Sequence, residues 1–478
     1  MLLHTPLYLI FLAVTVFVFW LLPRPAWRKA FLLLVSYGFY ALFDWRFLCI
    51  LFGLTVLVYL IGRAIPNNSH PQRLAGLSVL INLVFLGLFK YADFFLSDLG
   101  AILQTLGIHS LSPGLKLLLP VGISFYTFQS MAYTTEVYRQ KIQPIHSFLD
   151  FALYLAFFPR LIAGPLVRPA AFIKQIEQIQ PKFDRNSLGP ALGLLLLGLF
   201  KKIVIADSLA SQADVAFRAA ALPAGDLVFP TPLFIQGFYL YAFQIYADFS
   251  GYTDIARASA ALLGFQLPEN FQQPYLSTTI TSFWNRWHMS LTQWFREYLF
   301  FPTSRFLLAK TQRRWPRLVQ TSANLITMTL IGLWHGAAWT YVAWGLWHGM
   351  LISGEHLLKL KPGRRWASIL SGLIAFHLVG VGWVLFRSAS FAAAGRFLQG
   401  LLVFQQMHWL PYYLPSILFT AALVFGIDLA SSRALTLPRR WAFVRHALVI
   451  AALVVIFSLL VIDFARGSEM RPFIYGQF

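Results

Sequence analysis

An all-α protein that crosses a membrane many times is the fold class this sequence predicts, and three observations predict it. Of 478 residues, 58% are hydrophobic and 17% aromatic, while only 12% are charged, against roughly 25% in a water-soluble domain. The apolar residues gather in runs approaching the ~20 residues that a membrane-spanning helix needs. Lys+Arg number 38 against 18 Asp+Glu, a formal net charge of +20, and the basic residues collect between the runs, as they do in cytoplasmic loops of membrane proteins. The low charge content excludes a nucleic-acid-binding globule, so the partner implied first is the lipid bilayer. A single cysteine, Cys49, excludes an intrachain disulfide framework or a Cys-based metal site.

The first apolar run, Leu7 to Leu22, has no Lys or Arg before it and reads as a retained span rather than a secretory signal. Arg24, Arg28 and Lys29 then place the first loop in the cytoplasm and the N-terminus outside. Runs at 30–43 and 47–62 bring Arg63 and Arg73 back inside. Further runs follow at 74–92, 94–108, 117–137, 147–165, 188–206 and 228–247, and then at 319–337, 340–358, 366–386, 413–431 and 446–463. Several are short or interrupted, so about eleven spans are expected. Basic linkers from Arg139 to Arg185, Arg305 to Arg317, Lys359 to Arg365 and Arg433 to Arg445 fall in the cytoplasm, which leaves the C-terminus outside. The stretch 248–305 mixes Asp, Asn, Arg, His and Glu with many aromatics and is expected to form re-entrant or interfacial helices, since polar groups survive at membrane depth only inside protein or beside water. No long Gly/Ser-rich or Pro-rich linker divides the chain. One integral membrane domain, 1–478, with its motifs between about 120 and 350, is the expected organisation.

The most informative local feature is a repeated pentapeptide, Gly-Leu-Trp-His-Gly, at 332–336 and 345–349. A charged side chain at mid-membrane costs roughly 2.5–3.5 kcal/mol on insertion scales, so each His must face protein or water. The glycines allow close approach of another backbone or a substrate, and the tryptophans can wall a pocket. Two readings follow: helix-packing histidines bonded to backbone, or a general base in a membrane cavity, because imidazole titrates near neutral pH. His335 and His348 are thirteen residues apart, roughly 220° beyond whole turns on one continuous helix. They share a site only if the chain turns between them, as Gly336 to Thr340 permits. The same spacing lacks the i, i+4 offset of a helical zinc motif, so no metal is expected. Nucleophile-elbow, phosphate-loop and dinucleotide motifs are absent.

A second constellation runs from Tyr246 to Arg257, with Asp248 and Asp254. Its carboxylates could orient a base, line a proton path or hold a cation, and Asp254 is spaced to pair with Arg257 on one helix face. A third, Phe283-Trp284-Asn285-Arg286-Trp287-His288, sets a cation among aromatic faces, where it can bind an anionic group or a sugar, or simply pack. Upstream, Pro120 to Gln129 and Phe158 to Pro165 interrupt apolar helices with Gly and Pro, as cavity-lining segments do.

In this order, Pro120–Gln129, Phe158–Pro165, Tyr246–Arg257, Leu263–Tyr275, Phe283–Tyr298 and Gly332–Gly336 resemble the motifs of the membrane-bound O-acyltransferase family, in its bacterial branch containing the alginate O-acetyltransferase membrane subunit. The resemblance implies a ring of helices around a pinched, membrane-buried pocket. It singles out His335 as the family's near-invariant histidine and His288 as a second polar motif position, both catalytic, with Trp284, Arg286, Trp287, Trp334, Asp248 and Asp254 binding substrate. It implies transfer of an acyl group, acetyl above all, from a cytoplasmic thioester such as acetyl-coenzyme A, with no bound cofactor. The acceptor would be hydroxyls of an extracytoplasmic polysaccharide, an alginate-type exopolysaccharide first and peptidoglycan or another envelope glycan as the alternative. A periplasmic or membrane-anchored partner acetyltransferase is implied too, in a bacterial inner membrane. After Pro302 this chain has Thr303-Ser304-Arg305-Phe306 where alginate-type proteins have Leu-Gly-Gly-Asn-Arg. The rival class is a secondary transporter, suggested by intramembrane Asp248 and Asp254 and broken helices; it predicts repeated halves, and none is found.

Overall fold

The computed structural model describes residues 2–107, 117–179, 182–223, 229–358, 365–433 and 473–474, and among these all regular structure is helical. Five stretches are long and apolar enough to cross a membrane: Trp45–Asn67, Pro71–Thr105, Arg185–Ala221, Ala367–Arg387 and Met407–Leu429. The chain is an all-α polytopic membrane protein. The expected run 446–463 and the basic linker at 359–364 lie outside the described residues. By its contacts the chain divides into two compact units, Met1–Leu194 with Ala256–Pro268, and Leu195–Ile255 with Glu269–Phe478.

In the first unit, α1 (Pro6–Leu21), α2 (Pro25–Ala41) and α3 (Trp45–Ala64) each start at a proline or at the capping carboxylate of Asp44. The two runs 74–92 and 94–108 form one helix instead of two spans, α4 (Pro71–Thr105). A single wide turn at Gly87–Tyr91 absorbs the polar interruption without breaking the chain's helical course. The run at 117–137 becomes α5 (Ile123–Tyr138), buried on almost every side, so it is sheathed by protein rather than lipid. Gly122 enters it at φ 75°, and a Cβ there would stand 2.5 Å from the Leu161 carbonyl oxygen, so only glycine fits. The expected span at 147–165 is broken: α6 (Phe148–Ala156) ends, the backbone extends at Phe157, and one helical turn restarts at Phe158–Leu161 with Pro159 in its first turn. After α7 (Pro169–Glu177), Phe157, Phe172 and Phe265 pack with centroids 4.8–5.7 Å apart. Tyr8 donates to Ser259 Oγ at 2.9 Å and Trp20 to the Leu262 carbonyl at 2.8 Å.

The second unit differs from expectation at its two long helices. α8 runs over Arg185–Ala221 rather than stopping near 206, and α9 over Thr231–Leu262 rather than ending at 247. Both continue through charged residues because those charges pair with each other. Gly198 and Gly251 mark the crossing, where a Cβ on either would come within 2.8 Å of the other's carbonyl oxygen. This close approach sets Lys201 Nζ 2.9 Å from Asp254 and Lys202 Nζ 2.8 Å from Asp248. The polar segment 248–305 is therefore a long helix as far as Leu262, and short pieces only thereafter. These are α10 (Ile280–Trp284) and α11 over 289–310, which contains a wide turn at Arg296–Phe300.

The repeated pentapeptides lie on α12 (Pro316–His335) and α13 (Trp339–Leu358), an antiparallel hairpin that turns at 336–338. The leading glycine of each copy faces the other: a Cβ on Gly332 or Gly345 would stand 3.1 Å from the other's Cα and would collide with a backbone carbonyl of the opposite helix, Tyr341 or Met328. Backbone cannot rotate aside as a side chain can. Gly345→Ala is therefore expected to lower stability by about 1–3 kcal/mol or more, read as a fall in melting temperature of the purified protein. Gly354→Ala, on the same helix with open space at its Cβ, should leave it unchanged.

α14 (Arg365–Arg387), the amphipathic α15 (Phe391–Leu402) and α16 (Leu410–Arg433) complete the described helices.

Candidate active site

Four aromatic steps connect the histidines singled out in the sequence, and a fifth leads on to Trp284. His288 lies 6.4 Å from Trp334, Trp334 lies 4.7 Å from His335, and His335 lies 5.0 Å from Trp344 between ring centroids. Trp344 then lies 5.2 Å from His348, which lies 5.2 Å from Trp284. The two pentapeptide histidines thus meet on one indole, Trp344, which is fully buried. The turn at Gly336 makes this possible.

The copies are not equivalent. Trp334 is buried between His288 and His335, whereas Trp347 of the second copy is half-buried and donates to the Leu378 carbonyl at 2.9 Å. His348 Nδ1 accepts from Trp284 Nε1 at 3.3 Å. An imidazole that accepts at Nδ1 carries its proton at Nε2, and that nitrogen lies against Gly382, where a Cβ would stand 2.7 Å away. Its accepting nitrogen is occupied, so His348 is poorly placed to take a proton from anything else. His335 is nearly buried among Trp334, Trp344 and Phe386, the last at 5.3 Å.

The Trp284–His288 segment is held from outside itself. The Glu355 carboxylate of α13 accepts from the Ile280 and Thr281 amides and from Thr281 Oγ1, the latter two at 2.9 and 2.8 Å, and so caps α10. His288 adopts the left-handed conformation, φ 42°, at the junction of α10 and α11, a region that histidine tolerates better than most residues. Asn270, in the Pro-Glu-Asn-Phe segment, accepts from the Met289 amide through its carbonyl at 3.0 Å and from the Ser290 amide through Oδ1 at 3.1 Å. Asn270→Ala removes this cap and orphans a buried N–H. A loss of about 1–3 kcal/mol is expected, seen as a lower melting temperature; an unchanged melt would mean that the cap is dispensable.

Trp284, Trp287 and His288 are buried, Trp287 packing 4.9 Å from Trp383, while Arg286 is half-buried and Asn285 is exposed and accepts from Arg296 at 2.6 Å.

A polar cavity of about 410 Å³ lies in the same unit, and most of its charged lining was not foreseen. Of the expected site residues only Asp248 lines it; the others it includes are Lys202, Asp207, Asp214, Tyr341, Phe386 and Arg387. Lys202 bonds both Asp248 and Asp207 at 2.8 Å, Asp248 Oδ2 accepts from the Ile474 amide at 2.9 Å, and Arg387 pairs with Asp214 at 2.8 Å. Phe473 stacks on Tyr252 at 4.3 Å. Asp254, which its spacing could pair with Arg257, bonds Lys201 at 2.9 Å. The signal for these residues was present as Lys201-Lys202 at the end of an apolar run and Arg387 at the end of another. Among the described residues no group of three or more His, Cys, Asp or Glu side chains is placed to hold a metal ion.

Comparison with known proteins agrees with this architecture. Residues 123–360 match the membrane-bound O-acyltransferase family. The chain is similar to the "Probable alginate O-acetylase AlgI" of Pseudomonas aeruginosa, 38% identical over 79% of this chain and 70% of that protein. It is 34% identical to the "Peptidoglycan O-acetyltransferase" of Helicobacter pylori, over 79% of this chain and 74% of that protein. It is 31% identical to the "Teichoic acid D-alanyltransferase" of Bacillus subtilis, over 57% and 69%. The chain belongs to the membrane-bound O-acyltransferase family, and it is an acyltransferase.

Proposed function

We propose that this protein moves an acetyl group from a cytoplasmic acyl thioester, acetyl-coenzyme A in the first instance, toward hydroxyls of an extracytoplasmic polysaccharide. Both compact units serve one membrane-embedded enzyme of the bacterial inner membrane, with both chain termini outside. His335 is the general base: it takes the acceptor's hydroxyl proton as the oxygen attacks the thioester carbonyl. The C–O bond forms, the C–S bond breaks, and the same proton is passed to the departing thiolate. His288, on the far side of Trp334, holds that indole against His335. Trp284, Trp287 and Arg286 bind substrate, as does Asp248 in the cavity wall, while Asp254 keeps Lys201 in place.

The observation that carries this reading is the difference between the two histidines: Trp284 occupies the accepting nitrogen of His348, whereas His335 abuts the one aromatic wall, Phe386, that also lines the polar cavity. The similarity to alginate O-acetylases favours an alginate-type acceptor, delivered through a periplasmic or membrane-anchored partner acetyltransferase. A peptidoglycan acceptor is the second reading, favoured by the Helicobacter pylori relative. Membranes containing the protein, supplied with labelled acetyl-coenzyme A and each glycan, with and without candidate partners, should label a glycan. Failure to release coenzyme A or to label any acceptor would overturn the proposal.

A further inference from the structure

The ring of His335 meets Trp334, Trp344 and Phe386, and these differ in what they adjoin. Trp344 is backed by His348 and Trp284, with ring centroids 5.2 and 5.7 Å away. Trp334 is backed by His288 and Phe295, at 6.4 and 6.3 Å. Phe386, 5.3 Å from the imidazole and crossing it at 73°, packs on Trp344 and Trp383 at 5.2 and 5.6 Å but, unlike the other two, also lines the 410 Å³ cavity. Tyr341 meets Phe386 edge-on at 4.9 Å and lines the same cavity. Phe386 is itself 1% exposed. Interiors are packed too closely for a substrate to reach the imidazole unless a wall moves, and Phe386 is the wall with open volume to move into.

Resting on the reading of His335 as the base, we propose that Phe386 is the specificity-determining residue for the acyl group. Its ring turns into the cavity when the thioester arrives. The space it vacates, apolar and faced by Trp344, receives the acyl tail, while the hydroxyl acceptor approaches from the side of Asp248 and Lys202. The volume of one phenyl ring then sets the length of chain accepted. Acetyl fits with the ring displaced, and longer acyl groups collide with it.

The test uses the full-length protein in membrane vesicles with acetyl-coenzyme A and butanoyl-coenzyme A as competing donors, scoring the ratio of acyl groups transferred. Phe386→Ala should raise the butanoyl-to-acetyl ratio by about tenfold or more, since each methylene in an apolar pocket is worth roughly 10- to 200-fold. Phe386→Trp should lower the ratio. Phe386→Leu, a milder change, should shift it in the same direction as Ala and serves where the alanine variant does not fold. A ratio independent of the residue at 386 in folded protein overturns the inference. Wild-type membranes that transfer neither group overturn the proposed function instead.

Discussion

His335→Ala is expected to reduce acyl transfer by about 10²–10⁴-fold, the contribution of a positioned general base, while the protein still inserts and folds, with the moderate fall in melting temperature that a void at a buried ring brings. His335 bears on three rings, Trp334, Trp344 and Phe386. His348→Ala should differ in activity. Its Nδ1 accepts from Trp284, and its ring is fully buried between Trp344 and Phe283, so truncation opens a void and orphans an indole N–H. The expected cost is about 1–3 kcal/mol of stability for the orphaned donor, with acyl transfer still measurable. Activity should be followed as coenzyme A release and stability as melting temperature on the same preparations. A folded His335→Ala protein transferring acyl groups at nearly the wild-type rate would remove the base from the mechanism. Loss of activity in His348→Ala without loss of stability would reverse the assignment of the two copies.

Much of this site was legible in the order of residues, and what was not has a physical reason. The pentapeptide repeat required each imidazole to face protein or water and permitted a turn over Gly336 to Thr340, and the hairpin α12–α13 turns there. That the imidazoles would meet on Trp344 depended on the Gly332–Gly345 contact, which fixes how closely the two helices approach; no periodicity states that distance. The same limit explains the errors in span boundaries. Hydropathy ends a helix where charges begin, because an unpaired charge in a membrane is costly. Asp207 and Asp248, the charges at which the runs 188–206 and 228–247 stop, are not unpaired: both bond Lys202, which lies 46 residues from Asp248 along the chain. Likewise Lys90 and Asp93 interrupt hydropathy at 74–108 without interrupting the helix. Pro159, by contrast, breaks a run that hydropathy had joined, because missing N–H groups act locally whatever the surroundings. Glu355 caps α10 and so positions Trp284, a role that appears only once α13 and α10 are brought together.

The buried ion pairs lead to the second large expectation, that Lys202→Ala destabilises the protein by about 3–5 kcal/mol. The Lys202 side chain is 3% exposed and that of Asp248 is 2% exposed, so removal of the ammonium leaves a carboxylate buried without its cation. Asp207, the other partner, is 25% exposed and can turn toward water in the cavity. The cost should therefore reside mainly in Asp248, which makes a sharp test by double substitution. Asp248→Asn alone is expected to cost less than Lys202→Ala, because Lys202 keeps Asp207 and the amide oxygen can still accept from the Ile474 N–H. Added to Lys202→Ala, the same Asp248→Asn change should restore part of the lost stability, because it discharges the orphaned carboxylate. A change that destabilises one background and stabilises the other is the signature of direct coupling. Melting temperatures of wild type, both single variants and the double variant close the cycle. If the two effects simply add, Lys202 and Asp248 act independently and their pair does not hold α8 and α9 together at the Gly198–Gly251 crossing.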